Sequence, residues 1–306
     1  MIQLFNINNY QIDTSELGNI LHGEIVEEFE QAFAEYVGAK YACFANSASS
    51  LLYLSLKKLN TTVKIPSVMP PVVPNVIINS GNKIEFYDDI DWVGDMYQLH
   101  DGIWDSAQRV ARNQYSKFSN CDTDTMIFSF YPTKPVGGCD GGMIVSDNKY
   151  TIDKYRAMVL NGAKPSENSW EREQIMFGYK MHGNSIQATI AYKNLKKLDK
   201  KNSILEEIRL VFNESLGYNN KSNHLYRIRV KDNSRFIKEM KQAGIQCGIH
   251  YKAFHKNNLL KNITEYKEMP NSELEEKQTV SIPFHEKLTK ENVEYIIKHV
   301  EKFRDI

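Results

Sequence analysis

Between residues 24 and 37 the apolar side chains Ile25, Val26, Phe29, Phe33, Tyr36 and Val37 recur at helical spacing, and Gly38 follows as a stop. This predicts a helix with one buried face. A short apolar run, 41–45, comes next, and 63–65, 83–87, 102–104, 125–130 and 143–146 are further short strand candidates, separated by helices or loops rather than by hairpin turns. A helix over 47–58 follows the first run, so residues 46–49 fall on a strand-to-helix turn. The alternation predicts an α/β domain with a mostly parallel sheet covered on both faces, a three-layer arrangement.

After residue 185 the rhythm changes to a long amphipathic run, IQATIAYKNLKKLDKKNSILEEIRLVFNESL, long enough to lead the chain from one domain into another. We therefore expect a large domain over residues 1–200 and a smaller α+β domain over 201–306. In the latter, HLYRIRV and QCGIHY read as strands, and 234–243 and 290–303 as helices. No internal repeat or low-complexity tract interrupts this plan.

With 306 residues, 42% of them hydrophobic, the chain has enough apolar material for a full core. Lys plus Arg and Asp plus Glu number 38 each, so the net charge is zero and neither nucleic acid nor an anionic membrane is an indicated partner. A local anion site remains compatible with that balance. Cys43, Cys121, Cys139 and Cys247 stand far apart without a C-x-x-C pair, which suits a reducing cytoplasm better than a disulfide framework or structural zinc. The start, MIQLFNINNYQ, has no basic region leading into an apolar core, and the apolar stretch 65–78 is broken by four prolines. The expectation is a cytoplasmic protein without a membrane span.

Three short segments carry candidate chemistry. In MIFSFYPTKPVGGCDGGM, Lys134 stands just past the end of a strand, at the edge where α/β proteins bind ligands, and its amine can condense with an aldehyde if the site lowers its pKa. The alternative is a solvated loop lysine. In IWDSAQ, Asp105 and Gln108 follow another strand; an acid there can keep a pyridine nitrogen protonated, or can simply cap a helix. In NSASS, residues 46–50, small side chains and hydroxyls at a helix start offer backbone N–H groups to a phosphate, although a serine N-cap would look the same. Together they supply an amine, an acid and a phosphate seat, the three requirements of pyridoxal 5'-phosphate. The histidines are too scattered for a metal motif, so no metal is expected, and Trp92, Trp104 and Trp170 read as packing residues.

These segments resemble the DegT/StrS-type nucleotide-sugar aminotransferases, a fold-type-I pyridoxal-phosphate family, and the likeness runs over most of the chain. GEIVEEFEQAFAEYVGAKYACFANSASSLL is similar to the family's opening helix and N-S-G-T phosphate turn, with Ala48 and Ser49 where Gly and Thr are usual. DSAQ resembles D-x-A-Q, which assigns Asp105 to the pyridine nitrogen and Gln108 to the cofactor face. SFYPTK resembles S-F-x-x-x-K, which assigns Ser129 to the phosphate and Lys134 to the covalent attachment and proton transfer. GYKMHGNSIQA resembles a segment that reaches the phosphate of the neighbouring subunit, implying a homodimer, with Lys180 in place of the usual Asn.

The C-terminal GIQCGIHYKAFH resembles the family's region beside the sugar, which implies substrate contacts from His250, Tyr251 and His255; their packing in a small-domain core is the other reading. Two departures stand out. The stretch between KIEFYDDID and GIWDS is shorter than in the family, implying a sheet one strand short. Where the family sets an aromatic over the cofactor ring, this chain offers Pro70, with Met69 or Tyr97 as substitutes. The resemblance implies amino transfer from an amino acid, glutamate first, to a keto group of a nucleotide-linked sugar. Retention of Lys134 argues against the related dehydratase branch, where histidine replaces it. A cofactor-binding or regulatory homologue that has lost turnover is the second reading.

Overall fold

The computed structural model describes residues 1–57, 59–166, 168–260 and 263–305. Its strands are β1 (Tyr41–Ala45), β2 (Thr62–Pro66), β3 (Lys83–Tyr87), β4 (Tyr97–His100), β5 (Ile103–Asp105), β6 (Thr125–Ser129), β7 (Gly142–Ser146), β8 (Tyr226–Arg229) and β9 (Thr279–Ile282). The helices are α1 (Glu24–Val37), α2 (Ala48–Leu56), α3 (Val72–Asn79), α4 (Gln114–Phe118), α5 (Lys149–Val159), α6 (Ser185–Leu195), α7 (Leu198–Leu216), α8 (Asn233–Gln242), α9 (Pro270–Gln278) and α10 (Lys290–Phe303).

Helix α1 ends as its sequence requires: Gly38 adopts the left-handed conformation, and its N–H returns to the carbonyls of Ala34 and Glu35. Helix α3 forms despite its prolines because Pro71 caps it and Pro74 lies in its first turn, where no intrahelical N–H bond is lost. The long amphipathic run divides at Lys196 and Lys197 into α6 and α7.

The α/β class stands, but the sheet is mixed rather than mostly parallel. Five strands run in the order β1-β7-β6-β5-β4, and within it only β5 and β6 pair in parallel. The parallel pair β2 and β3 forms a separate two-stranded sheet. Strand β7 runs against both β1 and β6, and connection length accounts for the third antiparallel pair. Asp101 and Gly102 alone join β4 to β5, and a two-residue link permits only an antiparallel neighbour. The shortened segment therefore does not leave a bare gap, since it supplies β4, running opposite to β5.

Both faces of the sheet are covered. Along β1, Ala42 and Phe44 join one apolar cluster and Cys43 and Ala45 another, as the period-two geometry of a strand demands. On the α1 side, Phe29, Phe33, Phe44 and Phe130 make edge-on or tilted ring contacts at 5.1–6.0 Å between centroids. A third cluster gathers Leu205, Ile208 and Phe212 of α7 with Tyr226, Ile228, Phe236, Val280 and Ile296. Leu198, at the start of the same helix, packs with α1 and the sheet instead. In the C-terminal part β8 pairs with β9, while QCGIHY is not a strand: Gly248 makes a lone bridge to Ser281 and Ile245 another to Ile2.

Candidate active site

Strand register assembles the site. Because β7 is antiparallel to both β1 and β6, those two point the same way, and Ala45, Gly142 and Ser129 line up across the sheet. Asp105 ends β5, which is parallel to β6, at the same edge. The segments NSASS, DSAQ and SFYPTK therefore emerge side by side although they are far apart in sequence. Gly142 permits this closeness to α2, since a Cβ there would stand 2.3 Å from the Ala48 amide nitrogen.

At the start of α2 the Ser47 side chain accepts from the Ser50 amide, and the Ser50 hydroxyl donates to Asn46 Oδ1 at 2.7 Å. The amides of Ala48 and Ser49 belong to the first turn, where a helix has no internal acceptor to offer them. Helix starts of this kind attract anions through N–H groups and the axial dipole.

A cavity of about 400 Å³ opens at this edge, and it brings together Ala48, Ser49, Asp105, Gln108, Ser129, Lys134, His250 and Tyr251. Burial pushes the Lys134 amine down to about 8, with the negative charge of Asp105 pulling the other way. Asp105 is buried too; burial raises its carboxyl pKa, and the Ala107 amide, the Tyr97 hydroxyl and the charge of Lys134 draw it partway back. Burial also brings His250 down to about 4, helped by the charges of Lys134 and Arg227. Its Nδ1 lies 3.0 Å from the Ser281 hydroxyl. The loop after Lys134 is pinned from outside: Lys201 Nζ donates to the Pro135 carbonyl at 2.8 Å and Asn194 to the Gly137 carbonyl at 2.6 Å.

Two of the residues singled out lie elsewhere. His255 is buried outside the cavity, with Nδ1 2.5 Å from the Ser67 hydroxyl and Nε2 3.4 Å from Glu273. Lys180 lines a separate depression of about 580 Å³ with His22, Asn161, Arg172 and His182. Of the aromatic substitutes, Pro70 lines the cavity, whereas Met69 and Tyr97 lie behind its wall. Trp92, which reads in the sequence as a packing residue, is on that wall, its ring parallel to Tyr251 with centroids 6.3 Å apart. An isolated tryptophan in a loop carries no periodicity that could reveal this.

The family model described as the DegT/DnrJ/EryC1/StrS aminotransferase family matches residues 6–93 and 81–301. The chain belongs to this family. It is 25% identical over 355 aligned positions to the UDP-4-amino-4,6-dideoxy-N-acetyl-beta-L-altrosamine transaminase of Campylobacter jejuni, covering 95% of this chain and 94% of that protein. The spore coat polysaccharide biosynthesis protein SpsC of Bacillus subtilis is 26% identical, with 96% and 92% covered. Among solved structures, the aminotransferase TlmJ from Streptoalloteichus hindustanus superposes with a TM-score of 0.81 over 99% of this chain and 98% of that one, at 19% identity. Both alignments run longer than this chain's 306 residues, so interior gaps separate it from both relatives.

DegT-family aminotransferases depend on pyridoxal phosphate. The groups present fit that cofactor: an enclosed amine of lowered pKa, a buried carboxyl, and free amides at a helix start share one cavity. Among the described residues no helix is long and apolar enough to cross a membrane.

Proposed function

We propose that this family member transfers an amino group from an amino acid, with glutamate as the leading donor, to a keto group of a nucleotide-linked sugar. The observation that carries the reading is the convergence of Lys134 and Asp105 on one cavity beside the start of α2. The named activity of the Campylobacter jejuni relative supports a nucleotide-sugar acceptor.

Lys134 would hold pyridoxal phosphate covalently and, once released by the donor amine, move a proton between substrate and cofactor carbons. Its lowered pKa suits both tasks, because a neutral amine is the nucleophile and the base. Asp105 would face the ring nitrogen, where a fixed negative charge favours the protonated ring. The cofactor itself supplies an electron sink for the substrate carbanion. The amides of Ala48 and Ser49 with the Ser129 hydroxyl would hold the phosphate, and Gln108 would lie against the cofactor face. Its side-chain oxygen accepts from the Gly94 amide at 3.0 Å, which fixes the orientation of the amide group.

For the acceptor, His250 and Tyr251 would contribute contacts from the C-terminal side of the cavity. His255 is left out of this role, since both ring nitrogens already face protein partners. We further propose a homodimer in which Lys180 reaches the partner's cofactor phosphate. Its place in a separate depression, beside the exposed Trp170, supports this. A division into domains near residue 200 is supported by the separate packing of Leu198 and Leu205.

Two measurements test the proposal. Borohydride reduction and peptide mapping are expected to label Lys134, and a label on another lysine would refute the assignment. Nucleotide keto sugars are expected to accept the amino group faster than simple keto acids; the reverse order would refute the acceptor class. The second reading, a homologue without turnover, predicts no spectral change of the bound cofactor on adding an amino donor.

A further inference from the structure

The strand that the shortened segment creates bears directly on the site. In the β4–β5 hairpin, Tyr97 and Asp105 are direct cross-strand partners, so their side chains share a face. The Tyr97 hydroxyl donates to Asp105 Oδ2 at 2.9 Å, while the Ala107 amide donates to Oδ1 at 3.0 Å. Each carboxylate oxygen thus has one fixed donor. The plane of the group is set, and each oxygen keeps a lone pair for a further donor.

Tyr97 is itself held. Its ring lies 4.8 Å from that of Trp92 in an edge-on contact, and its hydroxyl touches Met69 Sδ at 3.6 Å. Only 7% of the residue is exposed. The other ionisable groups acting on Asp105 are Lys134, whose charge favours the carboxylate, and Tyr251, whose own ionisation Asp105 opposes. Burial works against the charge of Asp105, and hydrogen bonds to the ionised form are what can offset it.

We propose that Tyr97 is a positioning residue that keeps Asp105 ionised and aimed into the cavity, a task built from the shortened segment of this chain. The inference rests on the reading that Asp105 faces the cofactor's ring nitrogen. Tyr97 touches neither substrate nor cofactor in this arrangement, because it stands behind the cavity wall. It acts through the carboxylate alone.

The test uses Tyr97→Phe, which keeps the ring against Trp92 and removes only the hydroxyl, with Asp105→Asn as control. Circular dichroism identifies any loss of fold, and Tyr97→Met provides a second variant without a hydroxyl if Phe does not fold. The first readout is the Asp105 carboxyl pKa, followed by carbon-13 NMR of aspartate-labelled full-length protein and assigned by the Asp105→Asn spectrum. It is expected to rise by about one unit in Tyr97→Phe, as loss of one charge-assisted hydrogen bond implies. The second readout is the binding preference for pyridoxal phosphate over its deaza analogue, which lacks the ring nitrogen. That preference is expected to fall about ten-fold in Tyr97→Phe and to vanish in Asp105→Asn.

An unchanged carboxyl pKa and an unchanged preference in the folded hydroxyl-free variant would overturn the proposal for Tyr97. If instead Asp105→Asn keeps the full preference, the reading of Asp105 fails, and the role assigned to Tyr97 fails with it. The carboxyl pKa separates the two cases, since it reports the Tyr97 contact without any cofactor.

Discussion

Replacing Lys134 with Met is expected to stabilise the cofactor-free protein, because the site holds an amine where burial disfavours its charge. The amine falls from 10.5 to about 8 in the folded chain. Such a drop corresponds to about 3 kcal/mol of stability withheld by the charged form. The folded state binds fewer protons than the unfolded one, so this penalty is present in full below about pH 8 and fades as pH rises towards 10.5. At pH 7 the gain from Lys134→Met should approach that figure, and near pH 10 it should largely disappear. Asp105 trims the gain, because without Lys134 the buried carboxylate loses an opposite charge. The double comparison in an Asp105→Asn background removes this correction. Urea unfolding of both proteins at the two pH values is the assay. A less stable variant at pH 7, or a difference that ignores pH, would refute the claim that the amine is held against its charge.

Arg156→Ala should cost about 3 to 5 kcal/mol in chemical denaturation, because it strands the buried carboxylate of Glu30, whose Oε2 lies 2.7 Å from Arg156 Nη1. Gly142→Ala should weaken capture of pyridoxal phosphate at least about ten-fold in equilibrium dialysis, since the new Cβ would meet the Ala48 amide nitrogen at 2.3 Å and push the helix start out of line. Unchanged capture would remove the start of α2 from the phosphate site. Lys180→Ala should weaken cofactor retention by about 1 to 3 kcal/mol while leaving the chain folded. A fully active monomer in sedimentation would contradict the dimer on which that expectation depends.

Buried strands can be read directly from composition. The run 41–45 coincides with the buried β1 and the alternating KIEFY with the half-buried β3, and their length, too short for a helix, decides for strand in both. The three chemical segments can also be read, because each follows a strand that points to the same edge. Strand β4 escapes a search for apolar runs, although its signal is present. Asp101–Gly102 is a strong short-range hairpin dipeptide, and it places YQLH against IWD as one antiparallel edge of a sheet that β7, antiparallel to β1 and β6, already makes mixed. Plain counting outward from that turn would set Gln98 opposite Asp105. An irregularity between Gln98 and His100 shifts the register by one residue and brings Tyr97 there instead. Such a bulge leaves no mark in the spacing of apolar residues, so the Tyr97 contact is legible only in the fold.

His250 and His255 mark where such reasoning stops. Both stand in one segment that resembles the family's sugar-side region, yet His250 lines the cavity and His255 turns to Ser67 and Glu273. In a helix or a strand, spacing decides which residues share a face, because the backbone repeats. Between Ile245 and Phe254 the chain forms only isolated bridges, to Ile2, Ser281 and Val68, so successive side chains follow no period. Their directions are set by what each bridge docks against: Ala253 lies opposite Val68, with the Phe254 N–H donating to the Ser67 carbonyl at 2.9 Å, and that contact places His255 on Ser67, 188 positions away. A histidine there that finds Ser67 on one side and Glu273 on the other has both ring nitrogens occupied, which favours a packing role over recognition of a ligand. Sugar contacts in this segment should therefore be sought at His250 and Tyr251, whose rings face the same cavity as Lys134.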